Sequence, residues 1–420
     1  MKCTSTTNQS IKPLPRSALC FLALALLVTP VVAGADGDSG AAAPGDDLFG
    51  SPKVISLKFE IPAAELETML KGSHTYGRCT ISEGSATYPD VGIRYKRAPA
   101  KEAASGKPDF TVAFNEFVSG QKFHGVKRLI LLAGRKDPSY LSAPIGLELF
   151  RKAGIPAARY SFATINLNGR NLGLYVVVEG VDRDFIRRHF EDGKGNLYDE
   201  GDDTDVNGKL EKYGGKGSTD QPDVDALAAA ALQADPAQRW EQLQQRLDVD
   251  RFLAFTAMEI LLWQDDSYAM EAAKFRIYHD PIKDRMVFFP KNVEEVLAKT
   301  DGPVLPKCKG LVARAVLTTP QGEKRYREAV SKLLQTVFIP AKVRVQAQAL
   351  AAVIRPAIGD DPAAAKSFDA AVQQFLDAVD KRAIFAANEL KAPSAGAGEE
   401  TKILPSPTSQ SSRETDQSSK

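Results

Sequence analysis

Thr164-Ile-Asn-Leu-Asn-Gly-Arg-Asn-Leu-Gly-Leu-Tyr-Val-Val-Val-Glu-Gly-Val-Asp182 holds two apolar-rich runs on either side of Asn168-Gly169. An Asn-Gly pair tolerates the positive φ angles of a two-residue turn, so the runs read as a β-hairpin. Tyr175-Val-Val-Val is continuously apolar, as a buried strand is. Upstream, Leu129-Ile-Leu-Leu reads the same way. Val54-Ile-Ser-Leu-Lys-Phe-Glu-Ile, Val91-Gly-Ile-Arg-Tyr-Lys and Phe110-Thr-Val-Ala-Phe alternate like half-buried strands. Asp137-Pro-Ser opens a helical segment that runs to about Ala153 and stops at Gly154. Downstream, apolar residues recur at helical spacing through 223–262, 323–353 and 364–390. One strand pair interrupts them: Phe275-Arg-Ile-Tyr, a turn at Asp280-Pro281, then Met286-Val-Phe-Phe.

A β-rich half followed by a helical half predicts an α+β protein. It is the general layout of a two-lobed, kinase-like fold, with an N-lobe over about 53–182 and a C-lobe over about 183–390. Layout does not fix function. The 420 residues carry 54 Lys and Arg against 53 Asp and Glu. That balance gives no reason to expect a nucleic-acid partner. Four Cys and four His, none at metal-ligand spacing, exclude a zinc ribbon.

The N-terminus reads as an address. Lys2, Lys12 and Arg16 precede an apolar stretch from Ala18 to Ala33 that ends in small residues, the order of a secretory signal peptide over 1–33. Cleavage there takes the formal charge from +1 to −2. No later apolar run is long enough to span a bilayer. The expected location is secreted, periplasmic or in the cell envelope. Cys79 and Cys308 would then share an oxidising compartment, either as one disulfide or as two buried thiols. Residues 34–52 read as a flexible linker, and 391–420, rich in Ser, Thr, Pro and Glu, as a disordered tail.

Two motifs give little chemistry. Gly214-Gly-Lys-Gly-Ser-Thr lacks the spacing of a phosphate loop and reads as a solvated loop. Asp203, Asp205, Asn207 and Gly208 open like a calcium loop, but the twelfth position is Gly214, where a bidentate carboxylate is needed. Asp265 and Asp266, after the apolar helix end Met258–Leu262, are more informative. A carboxylate there can accept a proton from a hydroxyl nucleophile or hold a divalent ion, although paired acids at a helix end are often simply solvated.

The order of motifs resembles the spore coat protein H (CotH) kinase family. The matching segments include Gln121-Lys-Phe-His-Gly, Lys136-Asp-Pro-Ser, Leu149-Phe-Arg-Lys-Ala-Gly-Ile-Pro-Ala and the hairpin stretch above. Gly195-Asn-Leu-Tyr, Asp266-Ser-Tyr-Ala-Met, Tyr278-His-Asp-Pro, Phe288-Phe-Pro and Gly310-Leu-Val-Ala-Arg-Ala-Val-Leu continue the series. The resemblance spans roughly 53–390. It implies an atypical kinase-like fold, ATP used with Mg²⁺ or Mn²⁺, and phosphorylation of secreted or coat proteins. On it, Asp266 is the catalytic-loop aspartate, the base. Lys96, Lys274 and Glu179 are nucleotide-binding candidates, although Glu179, where the chain crosses between lobes, reads more safely as structural, and Glu294 or Glu295 are metal-binding candidates.

The departures weigh more than the matches. Where the family has a Gly-Asn-Ser-Ser-like loop, this chain has Arg97-Ala98-Pro99 after Lys96. The family's phosphate-facing basic residue falls at Thr111, and its Arg-Glu pair at Ser142 and Ala143. Its metal-holding Asn pair falls at Ala273 and Lys274, and its second metal-binding Asp at Glu294. Loss of one such group costs about 10²–10³ in rate, roughly 3–4 kcal/mol. The resemblance with these losses implies a pseudokinase that binds an envelope or secreted protein, with or without a nucleotide. Two alternatives stand beside it: an active kinase with rearranged ligands, and an envelope scaffold with no cleft ligand.

Overall fold

The computed structural model describes residues 43–72, 74–201, 204–213, 220–359 and 361–391. The predicted signal peptide, the glycine-rich stretch from 214 to 219, Asp203 and the tail beyond Lys391 lie outside the described residues.

Seven strands form a closed barrel: β1 Val54–Glu60, β2 Gly77–Glu83, β3 Ala86–Tyr95, β4 Phe110–Ala113, β5 Arg128–Leu132, β6 Tyr160–Leu167 and β7 Arg170–Glu179. Their order is β1-β2-β3-β4-β5-β7-β6. A parallel seam between β1 and β6, from Val54↔Phe162 to Phe59↔Leu167, closes it. The individual strands were legible in sequence except β2, but this long-range pairing was not. Asn168, at φ +49°, turns the β6–β7 hairpin as predicted. It also clips the seam: its side chain accepts from Ile61 N and donates to Ile61 O, both at 2.8 Å. At the other end Ser161 Oγ donates to Lys53 O at 2.9 Å.

A four-stranded sheet follows, in the order β11-β10-β8-β9. Its strands are β8 Leu197–Asp199, β9 Glu211–Lys212, β10 Phe275–Asp280 and β11 Arg285–Pro290. The helices are α1 Asp46–Phe49, α2 Ala63–Met69, α3 Pro99–Ala104, α4 Ser142–Lys152, α5 Arg183–His189, α6 Pro222–Ala231, α7 Pro236–Arg246 and α8 Val249–Leu261. They continue with α9 Tyr268–Glu271, α10 Leu311–Leu317, α11 Pro320–Thr336, α12 Pro340–Ile354 and α13 Pro362–Lys391. Among the described residues no single helix is long and apolar enough to cross a membrane.

The apolar run in β7 has a structural reason. Tyr175 and Val177 point into the barrel core with Phe59, Phe110 and Val112. Leu174, Val176 and Val178 face the second core, built on α4, α8 and the small sheet. A strand buried on both faces loses the polar alternation of an exposed one.

Two sequence expectations change here. Part of the predicted linker is folded: Leu48 and Phe49 of α1 are buried in the barrel core. Cys79 and Cys308 form no disulfide. Both are free and buried, one in each core, and burial pushes each thiol up to about 12. They are the small buried hydrophobes of the second reading.

Charges fasten α1 to the barrel. Arg159 Nη1 donates to Asp46 at 2.8 Å. One ring nitrogen of His124 meets Asp47, and the other meets Glu83 at 2.7 Å. Burial lowers the His124 pKa, but the Asp47 and Glu83 carboxylates outweigh it and hold the group above its usual 6.5. A raised folded pKa stabilises fully below the unfolded value and is lost as pH rises through the folded one. The stability gap between wild type and His124→Gln is therefore expected to be about 1 kcal/mol in mildly acidic buffer. It should close at alkaline pH, as read by urea unfolding across the range. A gap that widens with pH would contradict the assignment.

Candidate functional site

The site begins with a missing glycine. After β3, Pro99 sits in the first turn of α3, where its fixed φ suits a helix and its absent N–H costs nothing. The chain therefore carries a helical turn where a flexible loop would expose backbone N–H groups. Glu102 from this turn is buried and accepts from Asp109 N at 2.8 Å. Arg135 pairs with Glu102 at 2.8 Å and with Asp109 at 3.4 Å.

This cluster forms one wall of a cleft of about 350 Å³. Leu132 and Val176 of the barrel, with Tyr140 and Ala143 near the start of α4, supply apolar surface. Asp266 and Lys274 reach it from the helical half, and Glu294 and Glu295 from the segment after β11.

The charges are largely matched. Lys96 Nζ donates to Glu294 Oε1, and Arg97 Nη2 to Glu294 Oε2. Arg97 Nη1 bonds Asp109 at 2.6 Å, and Lys136 bonds Glu295 at 2.6 Å. Burial first, then the cations Arg97, Lys274 and Lys291, push Lys96 down to about 7, with Asp109 opposing.

Asp266 is exposed in the cleft and has no hydrogen-bond or ion-pair partner among the described residues. Its loop is held from beneath. Glu259 of α8 is buried and accepts from Tyr268 N at 3.1 Å and Ala269 N at 3.0 Å. Burial pushes Glu259 up to about 8, the two N–H bonds resist, and the Asp266 charge adds to the rise. Arg382 of α13, fully buried, donates to the carbonyls of Ile260 and Leu261 where α8 ends, and to Gly302 O. Its guanidinium also lies over the Trp263 ring.

The structure thus brings Asp266, Lys274, Glu294 and Glu295 to one cleft, with Lys96 bonded into it. It does not bring Glu179 there. That carboxylate is buried at the end of β7, paired with Arg159 at 2.8 Å and with Arg188 at 2.5 Å, so its charge is spent structurally. Thr111 is buried in β4. Ser142 N donates to Asp137 at 2.7 Å in the cap of α4. Asp205, a calcium candidate, accepts from Val206 N at 2.6 Å, Leu311 N at 2.5 Å and Tyr268 Oη at 3.0 Å, which ties its loop to α10. Sequence reading missed Arg135, Glu102, Asp109 and Glu259. The only hint was the excess of charge at 134–137 and the lone Glu on an apolar helix.

The acids do not fit a divalent cation. Among the described residues no three His, Cys, Asp or Glu side chains converge as a metal-binding group. A cation needs carboxylate oxygens free to ligate it, and Glu294 and Glu295 give theirs to Lys96, Arg97 and Lys136.

The family model described as CotH kinase protein matches residues 102–388, and the chain belongs to this family. Inner spore coat protein H of Bacillus subtilis (strain 168) is 23% identical over 292 residues, covering 65% of this chain and 79% of that protein. Two solved structures are distant likenesses. The Shewanella oneidensis MR-1 toxin–antitoxin complex of HipA, HipB and operator DNA has a TM-score of 0.31 at 10% identity, over 68% of this chain and 61% of that chain. The Helicobacter pylori proinflammatory kinase CtkA has a TM-score of 0.30 at 8% identity, over 63% of this chain and 93% of that one.

Proposed function

We propose that this chain is a CotH-family pseudokinase: a two-lobed kinase-like domain, exported to a coat or envelope layer, that binds a protein partner and transfers no phosphate. One observation carries the reading. Glu294, where the family places a metal-binding acid, is bonded to Lys96 and Arg97. Phosphoryl transfer depends on metal ions that neutralise and orient the phosphates. With Glu294 and Glu295 neutralised by Lys96, Arg97 and Lys136, Asp266 is left as a lone free carboxylate in the cleft among the described residues, too few for such ions. The relative's name, inner spore coat protein, supports the coat location.

A second reading, an active kinase with Asp266 as base, draws on the open, unpartnered position of that carboxylate in the cleft. Labelled ATP with Mg²⁺ or Mn²⁺ separates the two. The expected result is no transfer to the chain itself or to a coat-protein extract. Transfer that Asp266→Asn abolishes would sink the pseudokinase reading. Melting with ATP, ADP or GTP should show no metal-dependent shift. A ligand held at ~100 times its Kd adds roughly 2.7 kcal/mol, which is readily seen.

A further inference from the structure

Residues 291–297, between β11 and the loops leading to α10, have no regular secondary structure and two distinct sides. The underside is apolar. Val293, Val296 and Leu297 are buried, and Val293 packs where Gly146 of α4 leaves no room for a side chain: a Cβ there would lie 2.4 Å from Val293 Cγ1. Leu297 N donates to Leu262 O at 2.6 Å, and Gln264 Nε2 donates to Asn292 O at 2.7 Å. The other side is acidic. Glu294 and Glu295 point at the barrel wall and meet three of its cations, Lys96, Arg97 and Lys136. Without this segment the wall holds five cations (Lys96, Arg97, Lys101, Arg135, Lys136) against three carboxylates (Glu102, Asp109, Asp137). The Lys96 side chain is only 9% exposed. Lys96 and Arg97 both give donors to Glu294, Lys136 gives one to Glu295, and the wall's remaining charge is positive, so it favours anionic oxygens at this place.

We propose that the strap is a built-in stand-in for a ligand: Glu294 and Glu295 occupy an oxyanion site for a polyphosphate group bound without metal, and the ligand enters by displacing them. The inference rests on the reading of the cleft as a metal-free binding site. Arginine and lysine that grip carboxylate oxygens present the same donors to phosphate oxygens. Displacement leaves the apolar anchor of the strap in place, since Val293 and Val296 face away from the cations. No bond is made or broken, and the exchange is one set of ion pairs for another.

Titration calorimetry with inorganic tripolyphosphate, in EDTA and at low salt, tests this. Wild type should bind weakly, because the strap competes. E294Q/E295Q, which keeps the shape and removes both charges, should bind at least about tenfold tighter, equivalent to ~1.4 kcal/mol. Adding K96M and R97M to that background should remove the gain. Equal affinity of wild type and E294Q/E295Q, no binding by either, or a gain that survives K96M/R97M each overturns the proposal. If the double variant fails to fold, E295Q alone serves. It frees only Lys136, at the rim, and should give a gain of about threefold that salt suppresses. An absent gain there is equally decisive. The assay needs no phosphate transfer. A transferring enzyme that still shows the gain would refute the pseudokinase and leave this inference standing, and an inactive chain with no gain would do the reverse.

Discussion

Arg382→Met is expected to cost roughly 3–5 kcal/mol, the range for breaking a buried charged network. The guanidinium is fully buried yet has no carboxylate in hydrogen-bond contact among the described residues. Its donors go to the carbonyls of Ile260, Leu261 and Gly302, with Thr300 O farther away at 3.5 Å. Ile260 O also accepts from Trp263 N at 3.1 Å, so the guanidinium matters most to Leu261 O at the C-terminus of α8, and a cation there also meets the negative end of the helix dipole. Methionine fills most of the volume but satisfies none of these oxygens. The melting temperature should fall by roughly 5–8 °C. Because the same bonds fix the helix end that leads into Trp263 and Asp266, amide exchange in 262–268 should accelerate beyond what the global loss explains. A variant with wild-type stability would show that water replaces the guanidinium without penalty.

Glu259→Gln is expected to reverse sign with pH. Folded, the carboxyl titrates at about 8; unfolded, its ordinary value is 4.5. Between those values the unfolded chain has released the proton and the folded chain keeps it. The folded state binds more protons, so stability falls as pH rises. At about 1.4 kcal/mol per unit, the loss over this window is on the order of 5 kcal/mol. Glutamine cannot ionise. It should begin roughly 1–2 kcal/mol less stable than wild type at mildly acidic pH, since one of the two backbone N–H groups then faces an amide NH₂. Toward pH 8 it should overtake wild type. Paired urea titrations read the difference directly, and a difference that does not change with pH would mean that Glu259 is ionised throughout.

What could be read from the chain beforehand divides by range. The strands with a period of two, the turn at Asn168-Gly169 and the strand pair 275–289 are local patterns, and they are present in the fold; the helix expected from Asp137 is present too, but starts at Ser142. Asp266 was singled out from its place after an apolar helix end. The barrel seam joins residues 108 positions apart, as Val54 and Phe162 show, and no local period signals it. The ion pairs of the cleft are likewise invisible, since Arg97 and Glu294 are 197 residues apart. A charged residue advertises that it needs a partner, not which one. That is why Glu179 looked like a ligand-binding acid when Arg159 and Arg188 had already claimed it. It is also why Arg135, Glu102 and Asp109 were missed.

The β1–β6 seam sets the order of events when the chain first folds. Strands β1 to β5 can pair with near neighbours as they appear, but β1 keeps an open edge until residues 162–167 arrive, more than a hundred positions later. Closing a loop of that length is slow because its entropy must be lost before the six-residue ladder compensates. During the wait, the alternating Val54–Glu60 strand is a template for any similar strand nearby. Newly made chain is therefore most vulnerable to self-association through β1, and the clips at Asn168 and Ser161 end that exposure by fastening both ends of the seam.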